Sequence, residues 1–454
     1  MVVFTVYFFL YGRLYLSLSG LEEAILKYAS ARGNNSLKAA MASQSIVQLG
    51  ILTVLPMVME IGLERGFRTA LGDIIIMQLQ LASVFFTFSL GTRVHYFGRT
   101  ILHGGAKYRA TGRGFVVRHE KFAENYRLYS RSHFVKGLEL MVLLICYRLY
   151  GSAADDGISY ALLSFSMWFL VLSWLFAPFL LNPSGFEWQK IVEDWEDWSK
   201  WISCRGGIGV PSVKSWESWW EEEQEHLRHT GFIGRLFEII LSIRFFIYQY
   251  GIVYHLNMTT SSRQGIRLSI VVYGLSWLVI GAVLIILKIV SMGRMKFSAD
   301  FQLMFRLLKL LLFIGCIVTI AMLFYFLNLT VGDIFQSILA FMPTGWALLQ
   351  VHVMALIICQ WIIDDWVEFI CVEMIIGQIS QACRTLVKGI GMWGSVKALA
   401  RGYEYMMGVL LFAPIAILAW FPFVSEFQTR LLFNQAFSRG LQIQRILAGS
   451  KKQA

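Results

Sequence analysis

ISYALLSFSMWFLVLSWLFAPFLL, residues 158–181, runs for twenty-four side chains without one charge. A bilayer core of about 30 Å needs roughly 20 apolar residues per helix, so this run reads as a membrane span. The same ruler predicts further spans at residues 2–18, 45–63, 135–150, 236–256, 268–290, 307–327 and 407–424. Residues 71–90 carry Asp73, Gln78, Gln80, Ser83 and Thr87, and read instead as a helix lying along the interface. Residues 334–363 form a long apolar run broken by Pro343 and Gly345 and ending before Asp364-Asp365. The whole chain is 57% hydrophobic and 15% charged with a mean hydropathy of +0.59, too apolar for a soluble protein of 454 residues. The expected fold is all-α: a polytopic transmembrane helical bundle of about eight to ten spans with amphipathic interfacial helices.

Six cysteines, Cys146, Cys204, Cys316, Cys359, Cys371 and Cys383, show no paired spacing. They read as reduced packing residues, with neither a disulfide framework nor a zinc site. No charged, cleavable signal region precedes the first apolar run, and the abrupt start reads as that of a fragment.

Charge is concentrated in one place. From Arg93 to Lys136 there are ten Lys or Arg residues against Glu120 and Glu124, a local balance of +8 within a formal net charge of +11. Its centre is Gly104-Gly105-Ala106-Lys107-Tyr108-Arg109-Ala110-Thr111-Gly112-Arg113-Gly114-Phe115. Glycines let backbone N–H groups approach a ligand, and Arg and Lys supply charge, so a phosphate or a lipid headgroup is the natural partner. Lys and Arg accumulate on the cytoplasmic side of membranes, which places this segment there, together with the basic stretch at residues 293–296 and the basic tail at 425–454. An even number of crossings between the first two puts Asn34, Asn257 and Asn328, which begin the three glycosylation sequons, all on the outside.

Residues 182–235 differ in character, with seven of the fifteen tryptophans and ten acids against six bases. Trp188, Ile191, Trp195, Trp198 and Ile202 recur at helical spacing, with Glu193, Asp194, Glu196, Asp197 and Lys200 assigned to the other face. Trp216, Trp219, Trp220 and Leu227 repeat the pattern beside Glu221, Glu222 and Glu223. Tryptophan prefers membrane interfaces, so two interfacial helices are expected. Clustered carboxylates can hold a divalent cation, but adjacent acids on an exposed helix face are usually solvated, and no metal site is assigned. The chain has no phosphate-binding loop ending in Gly-Lys-Ser or Gly-Lys-Thr, no His-Glu-x-x-His and no nucleophile elbow. Its longest polar stretches are about fifty residues, at the bottom of the domain range.

These motifs carry a resemblance. Residues 105–115, Phe176-Ala177-Pro178-Phe179, Asn182-Pro183-Ser184-Gly185-Phe186-Glu187-Trp188, residues 215–224 and residues 418–440 resemble the plant callose synthases, glucan-synthase-like members of the 1,3-β-glucan synthase family. The resemblance implies a processive glycosyltransferase of the plasma membrane that extends a 1,3-β-glucan from UDP-glucose and passes the polymer across. It also implies that this chain is the carboxy-terminal membrane region, inactive alone, with the transferase domain or a synthase complex as its partner. Lys107, Arg109, Thr111, Gly112 and Arg113 are the expected UDP-glucose contacts, with membrane lipids as the alternative partner of the same cations. Trp168, Trp174, Tyr248, Tyr250, Tyr254 and Trp277 could line a glucan path by stacking on sugar faces. No cofactor is expected in this chain, whether the complete enzyme uses a divalent cation is left open, and no nucleic acid is expected as a partner. A non-catalytic remnant or scaffold is the alternative function.

The expected layout is two spans and an interfacial helix (1–91), a basic cytoplasmic loop (92–134), a two-span hairpin (135–181), a Trp- and acid-rich interfacial region (182–235), carboxy-terminal spans (236–424) and a basic tail (425–454). In the family, the stretch like Thr344-Gly345-Trp346-Ala347-Leu348-Leu349-Gln350 runs directly into the counterpart of Ile379-Ser380-Gln381-Ala382-Cys383; here residues 351–378 intervene. That insert begins with a valine and ends with a glutamine, whose codons can supply the GT and AG letters of intron boundaries. The insert reads as a retained, in-frame intron or a gene-model error; sequencing the mature transcript across this point decides between them, and uniform coverage of the inserted bases would overturn the error reading.

Overall fold

The computed structural model describes residues 81–103, 119–150, 157–207, 209–225, 232–255, 265–296, 302–327, 338–351, 353–354 and 393–429, with isolated positions between 27 and 75. Every regular element among these residues is helical. Helix α1 is Ala82–His103; α2, Phe122–Tyr129, continues through a π-helical turn, Ser130–Phe134, into α3, Val135–Tyr150; α4 is Gly157–Leu180. Helices α5, Trp188–Ser203, and α6, Trp216–Glu225, follow, then α7, Phe232–Gln249, with a second π-helical turn, Tyr250–His255. The rest are α8, Gly265–Lys296; α9, Gln302–Leu327; α10, Ile338–Val351; α11, Trp393–Ala419; and α12, Pro422–Phe427.

Helices α3, α4, α7, α8, α9 and α11 occupy six of the expected spans; those at 2–18 and 45–63 lie outside the described residues apart from three positions. Among the described residues three helical stretches, Ile233–Val253, Ser276–Gly293 and Trp393–Ala419, are long and apolar enough to cross a membrane, while Met167–Leu180 and Ile338–Val351 are shorter apolar helices.

The chain divides into two compact units, Met1–Trp219 with Tyr405–Ala454, and Trp220–Glu404. In the first, the helix expected at 71–90 is interrupted at Leu81, which has a left-handed φ of 58°, and α1 starts beyond it; Gly72 and Ile75 before it are also helical. Thr87 Oγ1 donates within its own helix to Ser83 O or Val84 O, each at 3.0 Å, and Ser89 Oγ to Phe86 O at 2.8 Å, so neither hydroxyl needs an aqueous face. Helix α1 instead packs on α4, where the indole Nε1 of Trp174 donates to Thr87 O at 3.2 Å. The basic segment expected as a loop at 92–134 is therefore helical at both ends.

The core of this unit is aromatic. Phe122 and Tyr126 of α2 lie edge-on against Trp198 of α5, with ring centroids 5.2 and 4.5 Å apart, and Phe122 also meets Phe179 at 5.1 Å and Phe412 of α11 at 5.1 Å. Trp201 stands 5.2 Å from Trp198 and 5.6 Å from Trp219. Trp174, Trp198, Trp216 and Trp219 are all fully buried. This corrects the interfacial reading of residues 182–235: the two helices form, but most of their tryptophans turn onto the protein and only Trp188 is largely exposed. Burying such rings stabilises by roughly 1.5–3 kcal/mol each, more than an interfacial position offers.

In the second unit α7 exposes Ile233, Leu236, Phe237, Ile240 and Ile247 and buries Ser242, Phe245 and Gln249. Ser242 Oγ reaches Gln350 Oε1 at 3.1 Å, and Gln249 takes the Tyr273 hydroxyl at 3.2 Å, polar contacts that join helices of this unit.

A methyl at Gly408 would overlap the Trp198 ring, which lies directly on the helix backbone there. Gly408→Ala should lower stability by roughly 1–3 kcal/mol through overpacking, read as a fall in melting temperature of the detergent-solubilised chain; an unchanged transition would contradict this packing.

Candidate functional site

Lys107, Arg109, Thr111, Gly112 and Arg113 lie outside the described residues, as do Asn34, Asn257, Asn328 and, but for three positions, the insert at 351–378. The structure does describe the two stems of the basic segment, and both are held by specific contacts.

The entry stem is α1. The π-helical turn at Ser130–Phe134 brings His133 against it, with the imidazole stacked on Phe88 at 4.1 Å and its Nε2 donating to Phe88 O at 2.9 Å. A carbonyl can only accept, so the ring proton sits on Nε2 and Ser132 Oγ donates to Nδ1 at 2.7 Å. Gly91 permits this approach: a Cβ there would stand 2.7 Å from His133 Nε2 and 3.0 Å from Trp174 Nε1.

The exit stem is His119-Glu120-Lys121, and its anchor is the turn that ends α4. Pro178 lies in the last turn of that helix and Pro183 follows Asn182, so the chain leaves helical geometry there. Ser184 has a φ of 55°, and Gly185 sits so close to the end of α4 that a Cβ would lie 3.0 Å from Asn182 O. The side-chain amide of Asn182 then pairs with both backbone groups of Glu120: Glu120 N donates to Oδ1 at 3.0 Å, and Nδ2 donates to Glu120 O at 2.8 Å. From the other side Gln428 Nε2 donates to Asn182 O at 2.7 Å and Leu180 O at 3.1 Å.

His119 completes the stem. Nδ1 donates to Pro183 O at 3.0 Å, and Nε2 meets the carboxylate of Asp194 at 3.3 Å. Both partners only accept, so the arrangement favours imidazolium. The hydrogen bond to Asp194 is the main cause raising the His119 pKa above 6.5, against the opposing effect of burial. Asp194 is buried, which corrects its placement on the solvent face of α5. The other acids of that cluster also face protein cations: Lys121 with Asp197 at 3.1 Å, Lys190 with Glu193 at 2.9 Å and Lys200 with Glu196 at 3.3 Å. These outer pairs are exposed and add little to stability.

The charge excess is likewise partly structural. Arg127 donates to Val213 O at 2.9 Å and lies 5.8 Å from the Trp201 ring, and Arg131 lies 5.1 Å from the Trp219 ring. The cations left for an anionic ligand are those nearer the glycines. Trp174, expected as a path-lining aromatic, is fully buried and hydrogen-bonded to α1, while Tyr250 is exposed. Sequence reading missed His119 outright, put Asp194 on the solvent face and held Gln428 only as part of the motif at 418–440. Asn182 stood within a quoted motif, and its position before Pro183 at a helix end was the available signal for a turn.

The family model described as 1,3-beta-glucan synthase component matches residues 1–328. Callose synthase 5 of Arabidopsis thaliana is 74% identical over 452 residues, 100% of this chain and 22% of its own length. Callose synthase 7 is 62% identical over 449 residues and Callose synthase 3 is 60% identical over 450, each match covering 99% of this chain and 21% of the relative, both from the same plant. No solved structure matches. The chain belongs to the 1,3-β-glucan synthase family and spans about a fifth of the length of these relatives.

Because the folded pKa of His119 is raised, its contribution to stability is complete below about pH 6.5 and is lost as pH climbs through the folded value. Melting temperatures of the chain and of His119→Ala should differ most at mildly acid pH and converge as pH rises; a gap independent of pH would contradict the ion pair.

Proposed function

We propose that this member of the 1,3-β-glucan synthase family is the membrane part of a callose synthase, with its basic segment facing the UDP-glucose donor. Lys107, Arg109 and Arg113 pair with the diphosphate, Gly112 lets the backbone close on it, and Thr111 offers a hydroxyl. Glucose passes from this donor to a growing 1,3-β-glucan, and the helical bundle conducts the polymer across the plasma membrane. The transfer step itself we assign to parts of the synthase beyond the share of the relatives' length that this chain spans, which is 22% for Callose synthase 5. The observation that carries the reading is the pair of built stems: α1 held by His133, and His119-Glu120 held by Asn182, deliver the basic segment from a packed aromatic core. A segment that only marked topology would not need its ends fixed in this way.

The test is photolabelling of membranes bearing this chain with an azido derivative of UDP-glucose. Arg109→Ala should raise the half-saturating concentration about tenfold or more, as expected for loss of a charge-assisted hydrogen bond. Labelling that ignores this substitution, or that excess UDP fails to displace while anionic lipid vesicles do, would overturn the donor reading in favour of headgroup binding.

A further inference from the structure

Gln428 is 246 residues from Asn182 in sequence and 1% exposed, and among the described residues its amide donates to two carbonyls at and just after the end of α4. Its Oε1 is buried without a donor among the described residues, so its two donations alone hold it in place. Those donations go to Leu180 O, the last carbonyl of α4, and to Asn182 O, which also accepts from Gly185 N in the turn that follows. Asn182 then turns its side chain to Glu120. Three distant parts of the chain, the end of α4, the exit of the basic segment and the residues after α12, therefore meet on one asparagine.

We propose that Asn182 is a positioning residue for the basic segment and that Gln428 sets its orientation, so that the start of the carboxy-terminal tail and the exit stem respond as one mechanical unit. The chemistry fits that role and no direct role in catalysis. Both groups on Glu120 are backbone, so Asn182 recognises the path of the chain and would hold any side chain at position 120. An amide is the one kind of side chain that offers a donor and an acceptor side by side, as this pairing requires. Alanine at 182 leaves both Glu120 groups unpaired, and aspartate loses the donation to Glu120 O while keeping the acceptor for Glu120 N–H. Loss of Gln428 removes one of the contacts on the backbone of Asn182, leaving those to Phe179 O and Gly185 N, and so loosens the side chain that grips Glu120. The consequence for donor binding rests on the reading under Proposed function; the mechanical coupling does not.

Hydrogen–deuterium exchange of the chain in membranes reads the coupling at the Glu120 amide. Asn182→Ala should speed exchange in the peptide covering His119 to Tyr126 about tenfold, the scale of one lost hydrogen bond. Gln428→Met should speed it as well; methionine keeps the volume and removes the orphaned Oε1 but takes a donor from Leu180 O and Asn182 O, so the melting temperature should fall modestly while the fold persists. Unchanged exchange in Gln428→Met would overturn the coupling. Should Asn182→Ala unfold, seen as exposure of the Trp198 indole in fluorescence, Asn182→Asp decides the matter by the same measurement. With azido-UDP-glucose, both variants should raise half-saturation and leave maximal labelling unchanged, and the double variant should be no worse than Asn182→Ala alone. Faster exchange with unaltered half-saturation would sink the link to the donor. Wild-type membranes that show no saturable labelling would sink the donor reading and leave the exchange result to judge the anchor.

Discussion

The pairing of the Asn182 side chain with both backbone groups of Glu120 is the constraint from which the rest of the first unit follows. Backbone amides removed from water need partners, and leaving one unpaired costs about 1–3 kcal/mol. The exit of the basic segment has no helix or strand to supply such partners, so the end of α4 supplies them. Once Glu120 is held, α2 can start at Phe122, and its first turn drops Phe122 and Tyr126 into the tryptophan core. The His119–Asp194 pair and Gln428 brace the same point from α5 and from the tail.

Two kinds of force thus divide the labour. Aromatic burial supplies most of the stability, because large rings from α2, α4, α5, α6 and α11 share one core and because Gly408 lets Trp198 lie flat on α11. Hydrogen bonds fix register. His133 sets where α1 sits on the π-helical turn, and Asn182 sets where the chain returns from the basic segment. A core of rings alone tolerates sliding; a two-point amide pairing does not. Both stems of the basic segment are thereby held to one packed core.

The helical class and the positions of several helices were legible in the sequence because long apolar runs favour helices, and three of these are long and apolar enough to cross a membrane among the described residues. α3, α4, α7, α8 and α9 stand close to where residues 135–150, 158–181, 236–256, 268–290 and 307–327 pointed. Thr87 and Ser89 satisfy their hydroxyls on their own helix, which composition does not reveal. The tryptophans of 182–235 gave the right periodicity and the wrong partner, since an indole that suits a membrane interface suits an aromatic core equally well. Asp194 looked solvated beside three exposed acids until His119, 75 residues away in sequence, was found against it. Contacts of that separation leave no local pattern. The glycine-rich run lies outside the described residues, and UDP-glucose as its ligand is a proposal that starts from the family resemblance.

A density map of this chain in lipid nanodiscs with UDP-glucose, at side-chain resolution, addresses the central claim most directly. The account predicts His119-Glu120 seated on Asn182 and Asp194, with the diphosphate beside Arg109 and Arg113. A map in which α2 is detached from α5, or in which the diphosphate lies away from the basic segment, would contradict it.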